Sequence, residues 1–216
     1  MTAAPLVPAP VYGLRTWVVT EGERLAGPHG REPWPAGPVT AACRLGRDHT
    51  APAPGCTCGL HAWHPRPASA RRVLGVRGEV PGILEAWGPV EVHDRGFRAA
   101  HGRIGALVLT PGRNAALLAR LAAAYHVELL ALDGPDALLA HCRAHGLGLG
   151  EPVVAAILGP ERIARERHVR RRRAGRRAAV LAGLALAVGG IALAAHPEPE
   201  PSGKLLYGRA GKVVVP

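Results

Sequence analysis

"RRVLGVRGEVPGILEAWGPVEVHDRGFRAAHGRIGALVL", Arg71–Leu109, decides the fold. It is dense in Val, Ile and Leu and interrupted by repeated glycines. Strands are expected near Val73–Val80, Leu84–His93 and Ile104–Leu109. Upstream, "VYGLRTWVV" (Val11–Val19) has strand-forming residues at both ends, and "GPVTAACRL" (Gly37–Leu45) reads as a further strand running into Cys43. Downstream the period changes. "RNAALLARLAAAYH" sets Leu117, Leu118, Leu121 and Tyr125 on one helical face, and "VELLAL" returns to strand character. Strand, helix and strand from Ile104 to Leu132 make a short right-handed βαβ unit. After "DGP", Asp136 is placed to cap a helix from Ala137 to about His145. "EPVVAAILGPERIARERH" begins another helix, with Pro160 at a first turn. The glycines of "GLGLG" follow a helix instead of a strand, so they read as a C-cap and linker and not as a phosphate loop.

Between these elements lies "CRLGRDHTAPAPGCTCGLHAWH", Cys43–His64, with three of the four cysteines and three of the eleven histidines. Cys43, His49, Cys56 and Cys58 form C-x5-H-x6-C-x-C, three thiolates and an imidazole, the ligand count of a closed tetrahedral zinc site. Asp48, Pro52, Pro54 and Gly55 turn the chain between them. Spacing leaves His61 and His64 as rivals of His49 for the fourth position. Three thiolates make the ion a poor Lewis acid, which favours a structural over a catalytic metal. Cys142 stands alone in "LLAHCRAHGL" and reads as a small buried hydrophobe.

The metal reading depends on a reducing compartment, and the other end of the chain supplies the argument. "AAVLAGLALAVGGIALAA", residues 178–195, has no charge for 18 residues, about 27 Å as a helix. One flank only is densely basic, with Arg170, Arg171, Arg172, Arg173, Arg176 and Arg177. That asymmetry predicts a single-pass plasma-membrane helix with the preceding domain cytoplasmic and the tail 196–216 extracytoplasmic. The same arginines are expected to lie against anionic lipid head groups. No signal peptide is expected from "MTAAPLVPAPVYG", which lacks a basic n-region and an apolar core.

Charge argues against nucleic acid as the main partner. Of the net +11, residues 160–177 supply +7 and residues 1–159 only +3, so the globular part is nearly balanced. The alternative of a zinc-loop nucleic-acid binder would rest on Arg44, Arg47, Arg66, Arg71 and Arg72. An enzyme would rest on "EVHDRGFRA": His93 as a general base steered by Glu91 or Asp94, with Arg98 as an anion clamp, or on an open metal position. Trp87 and Phe97 are expected in the core. No Ser/His/Asp arrangement or nucleotide loop is present.

The expected organisation is a small mixed α/β (α+β) chain: a disordered stretch 1–10, a zinc-clasped β-rich domain 11–110, an α/β extension 111–159 with the βαβ-like unit, a basic juxtamembrane helix 160–177, and one C-terminal transmembrane helix 178–195. "GLRTW" at Gly13–Trp17, the Cys43–Ala62 block and "WGPVEVHDRGFRA" at Trp87–Ala99 together resemble a group of bacterial proteins from high-GC genomes. The resemblance implies one domain over about residues 13–110 and adds no mechanism. The expected role is a binding or regulatory module.

Overall fold

The structure is a computed structural model, and it describes residues 6–28, 32–43 and 45–194, with 6–8, 176, 177, 179 and those from 181 onward as backbone only. Two compact units divide the chain, Met1–His168 and Val169–Pro216.

The first unit is built around one long hairpin. Strand β5 (Glu79–His93) turns at Asp94 and Arg95 into β6 (Gly96–Leu109), with register shifts at Ile83/Leu84 and Trp87/Val90. At the second shift Gly88 has φ 77°, which glycine alone adopts without strain, and a side chain there would strike His101. β1 (Leu6–Thr20) pairs antiparallel with β5 along most of its length. β2 (Arg24–Ala26) folds back on β1, and β3 is only Val39–Thr40, paired with β6 at His101 and Gly102. β4 (Leu60–Trp63) pairs with β6 and touches β1 through Leu14 and Trp63. The strands β1, β5, β6 and β4 therefore close on themselves. β7 (Glu128–Ala131) runs parallel to β6, joined to it by α2 (Ala115–Tyr125), which is the predicted βαβ connection.

Alternation along the strands sends side chains to two apolar clusters. Val11, Trp17, Leu84, Val90, Phe97 and Leu107 point to one, covered by α2 through Leu118 and Leu121 and by α4 (Glu151–Ala194) through Val154 and Leu158. Leu14, Ile83, Ala106 and Val108 point to the other, covered by α1 (Pro67–Gly75) and α3 (Pro135–Ala144). Helices thus cover both faces of a mixed sheet.

Several expectations are corrected. The strand expected over Val73–Val80 is the end of α1, with β5 starting at Glu79. Pro67 in the first turn and the buried Ser69, Ala70 and Val73 are a helical signature that the neighbouring valines concealed. The strand through "GPVTAACRL" stops at Thr40, before the first cysteine. The stretch expected to be disordered contributes residues 6–10 to β1, while residues 1–5 lie outside the described residues. Asp136 lies in the first turn of α3 and does not cap it; Gly134 holds the cap position with no side-chain hydrogen bond. Phe97 is core, but Trp87 is only half-buried and stacks on His101 at 6.4 Å.

Gly146 does end α3 as expected. It takes φ 62°, and the N–H groups of Gly146 and Leu147 donate to Arg143 and Cys142, the Schellman arrangement. The helix after it breaks at Gly159 and restarts at Pro160. Among the described residues no helix is long and apolar enough to cross a membrane. The segment 178–195 continues α4 as backbone to Ala194, and from residue 181 its side chains lie outside the described residues, as does the tail 196–216.

Candidate metal centre

The 19 residues between β3 and β4 carry the cluster. They have little apolar content: Ala51, Pro52 and Cys56 are buried there, and the Ala51–Pro52 peptide is cis. Turn geometry brings the donors together. Gly46 (φ 62°) and Gly55 (φ 75°) take left-handed conformations, and short backbone bonds close Gly46 on Cys43 and Cys56 on Ala53.

Cys43, His49, Cys56 and Cys58 offer donor atoms that all lie within 4.8 Å of one another, close enough to bind one metal ion. Cys43 Sγ is 3.7 Å from Cys56 Sγ, and Cys58 Sγ is 3.8 Å from His49 Nδ1. Two sulfurs at ~2.3 Å from a tetrahedral ion stand about 3.8 Å apart, so the separations fit zinc. No disulfide joins any of the cysteines. The backbone N–H of Cys58 draws the Cys56 thiol below its ordinary value, whereas burial raises that of Cys58. The far nitrogen of His49, Nε2, is buried without a partner. Leaving it so costs about 1–3 kcal/mol, which ligation through Nδ1 must exceed.

His61 and His64 stand outside the four. His61 Nε2 donates to the Thr57 carbonyl at 2.9 Å, and His64 is fully buried, its Nε2 donating to the His93 carbonyl at 3.0 Å. Burial pushes the His64 imidazole below its ordinary value, and its Nδ1 has no partner.

Arg98 is what ties the loop to the sheet. On β6 it lies across from His61 of β4 on one side and Glu91 of β5 on the other. Its guanidinium is 6% exposed as a residue; Nη1 donates to the carbonyls of Cys56 and, at 2.8 Å, Cys58, and Nη2 donates to Glu91 Oε2. Its Nε faces His93 Nε2 at 3.4 Å. The residue singled out as an anion clamp thus spends its donors on the turns that carry Cys56 and Cys58 and on one carboxylate.

His93 lies between two carboxylates, Glu91 Oε1 at 3.4 Å and Glu166 Oε1 at 3.2 Å. Gly96, opposite His93 in the ladder, has no room for a side chain because Ala62 O would be 2.1 Å from its Cβ. Glu166 also accepts the Asp94 N–H at 2.9 Å, and Asp94, 3% exposed, pairs with Arg167 at 3.0 Å and Arg66 at 3.8 Å. Arg162 reaches Glu91 at 3.4 Å and the Val92 carbonyl at 3.3 Å. Sequence reading reached Glu91, His93, Asp94 and Arg98 as one block but missed Arg162, Glu166 and Arg167, which are about seventy residues away. The i, i+4 spacing of Arg162 and Glu166 and the adjacent Arg167 read as a charged helix face and give no sign of a strand partner.

Of the arginines considered for nucleic acid, Arg44 lies outside the described residues, Arg66 pairs with Asp94, and Arg72 stacks on Trp63 at 5.1 Å. Cys142 is buried, its thiol pushed up to about 11 by loss of solvent. Comparison with known protein families, curated proteins and solved structures gives no match.

Proposed function

We propose that the chain is a binding or regulatory module whose domain is clasped by one structural zinc ion at Cys43, His49, Cys56 and Cys58. The observation that carries this reading is the donor set: three sulfurs and one imidazole nitrogen within 4.8 Å supply all four positions of a tetrahedral ion from the protein. A closed shell leaves no place for substrate or water, and Arg98, the residue nearest to serving as an anion clamp, is buried beneath the loop. Both points support binding over catalysis. The domain is tethered through residues 178–195 to the inner face of the plasma membrane, with Arg170, Arg171, Arg172, Arg173, Arg176 and Arg177 against anionic head groups. A cytoplasmic location keeps the thiols reduced and available to metal.

Elemental analysis of the full-length protein, purified without added metal, tests the clasp. One zinc per chain, lost in Cys56→Ser and in His49→Ala, is the expected result. A metal-free wild type, or zinc retained by His49→Ala, would overturn the ligand set. A reporter fused after residue 216 tests the tether: it should read as extracytoplasmic, and a cytoplasmic signal would sink the topology.

A second reading, an enzyme acting through His93, is favoured by its placement between Glu91 and Glu166, which would orient a general base. It predicts a small molecule bound beside His93, detectable as ligand-induced shifts of its ring signals in an NMR screen.

A further inference from the structure

We infer that Arg98 and Glu91 couple occupancy of the metal centre to the docking of α4 after its break at Gly159. The inference rests on the zinc-clasp reading above and adds a regulatory consequence to it. An unbroken set of contacts joins the two places. The Cys56 and Cys58 carbonyls accept from Nη1 of Arg98; Nη2 of Arg98 donates to Oε2 of Glu91; and Oε1 of Glu91 accepts from Arg162 of α4 at 3.4 Å and lies 3.4 Å from His93. His93 in turn holds Glu166 of α4 at 3.2 Å. Every member lies within Met1–His168.

The coupling follows from what a buried guanidinium needs. With metal bound, the turns at Cys56 and Cys58 are fixed and their carbonyls satisfy Nη1. Without metal, the loop has little apolar burial to hold it, and those acceptors withdraw. Arg98, released from those carbonyls, draws on the nearest carboxylate, taking the second oxygen of Glu91 to make a two-pronged, charge-assisted pair. That oxygen is the one Arg162 uses. Arg162 keeps Glu166 at 3.3 Å, four residues along its own helix, and the Val92 carbonyl, but loses its carboxylate on the sheet. The helix then depends on Glu166 with Asp94 N–H and on Arg167 with Asp94. Metal loss therefore loosens α4. Thermodynamic reciprocity requires that loosening α4 also weaken the metal site. Arg98 and Glu91 are positioning residues for the metal, acting through the turns that carry two of its ligands.

The test uses the full-length protein in detergent micelles and two readouts, amide exchange over residues 160–168 and the rate of zinc transfer to a chromogenic chelator. Stripping the metal should speed exchange over 160–168 about fivefold, the effect of a coupling near 1 kcal/mol. Glu91→Gln should remove that difference. Because Glu91→Gln could also disturb folding, the surface variant Arg162→Gln supplies an independent arm: it should keep one zinc per chain and release it about fivefold faster. Unchanged exchange over 160–168 on metal removal, or unchanged release from Arg162→Gln, overturns the coupling while leaving the clasp intact. A wild type that binds no zinc overturns both.

Discussion

Removal of the metal should unfold the loop and spare the sheet. The 19 residues between β3 and β4 cost about 19 kcal/mol to order at ~1 kcal/mol per residue. Their own contacts return far less. Backbone bonds at Ala41, Gly46, His49 and Cys56, the buried Ala51, Pro52 and Cys56, and the Arg98 donations together amount to roughly 8 kcal/mol. The shortfall of about 11 kcal/mol falls within the ~10–16 kcal/mol of a structural zinc ion. The two apolar clusters, by contrast, draw almost nothing from this loop. In Cys58→Ser, or after chelation, amides 41–59 should lose their exchange protection while β5 and β6 keep theirs. The remaining domain should weaken by about 2–3 kcal/mol, because Arg98 gives up its charge-assisted donations to the two carbonyls. Exchange followed by mass spectrometry reads both effects at once. Protection that persists over 41–59 without metal, or collapse of the whole sheet with the loop, would refute this reasoning.

Three further outcomes follow from the geometry. Gly96→Ala places a Cβ 2.1 Å from Ala62 O and 3.0 Å from Trp63 Cα, so it should force β4 off β6 and cost about 3 kcal/mol in urea unfolding; a loss below ~1 kcal/mol would contradict the packing. His64 is held neutral by burial, so the unfolded chain binds the extra proton as pH falls below about 6.5, and folding stability should drop there by up to ~1.4 kcal/mol per pH unit more steeply than in His64→Gln. Equal slopes in the two proteins would show that His64 charges freely in the fold. Cys142, its thiol pushed up to about 11 by burial, should resist a thiol reagent in the native protein and react on denaturation; rapid native labelling of that residue would place it at the surface.

What the sequence disclosed and concealed divides by distance along the chain. The strands within Val11–Val19, Leu84–His93 and Ile104–Leu109 were legible because alternation is local, and so was the helix between β6 and β7, whose apolar face repeats every turn. The clustering of Cys43, His49, Cys56 and Cys58 was legible because they sit within sixteen residues and their chemistry is narrow. α1 was misread because valines at its end continue into the strand region, which outweighed the proline at its start. β4 was missed because the four residues Leu60–Trp63 lie among histidines that drew a metal reading. The role of Arg98 was hidden for another reason. Its partners at Cys56 and Cys58 lie about forty residues back, and only the pairing of β4 with β6 brings them across from it.

β6 is hydrogen-bonded to four other strands, β3, β4, β5 and β7, and its partner β5 is reached through a two-residue turn. A hairpin of this kind forms in about 1–10 μs, whereas β1 must be recruited from far upstream and the metal loop needs β4 and β6 already paired. We predict that substitutions at Asp94 and Arg95 slow refolding, while those in residues 41–59 chiefly speed unfolding; a chevron with the opposite assignment would reject this order. On the zinc-clasp proposal, metal capture would then be a late event in the life of each molecule. Until β4 settles beside β6, the nascent chain carries three open thiols, and the time it spends in that condition is set by the assembly of the sheet and not by the supply of metal.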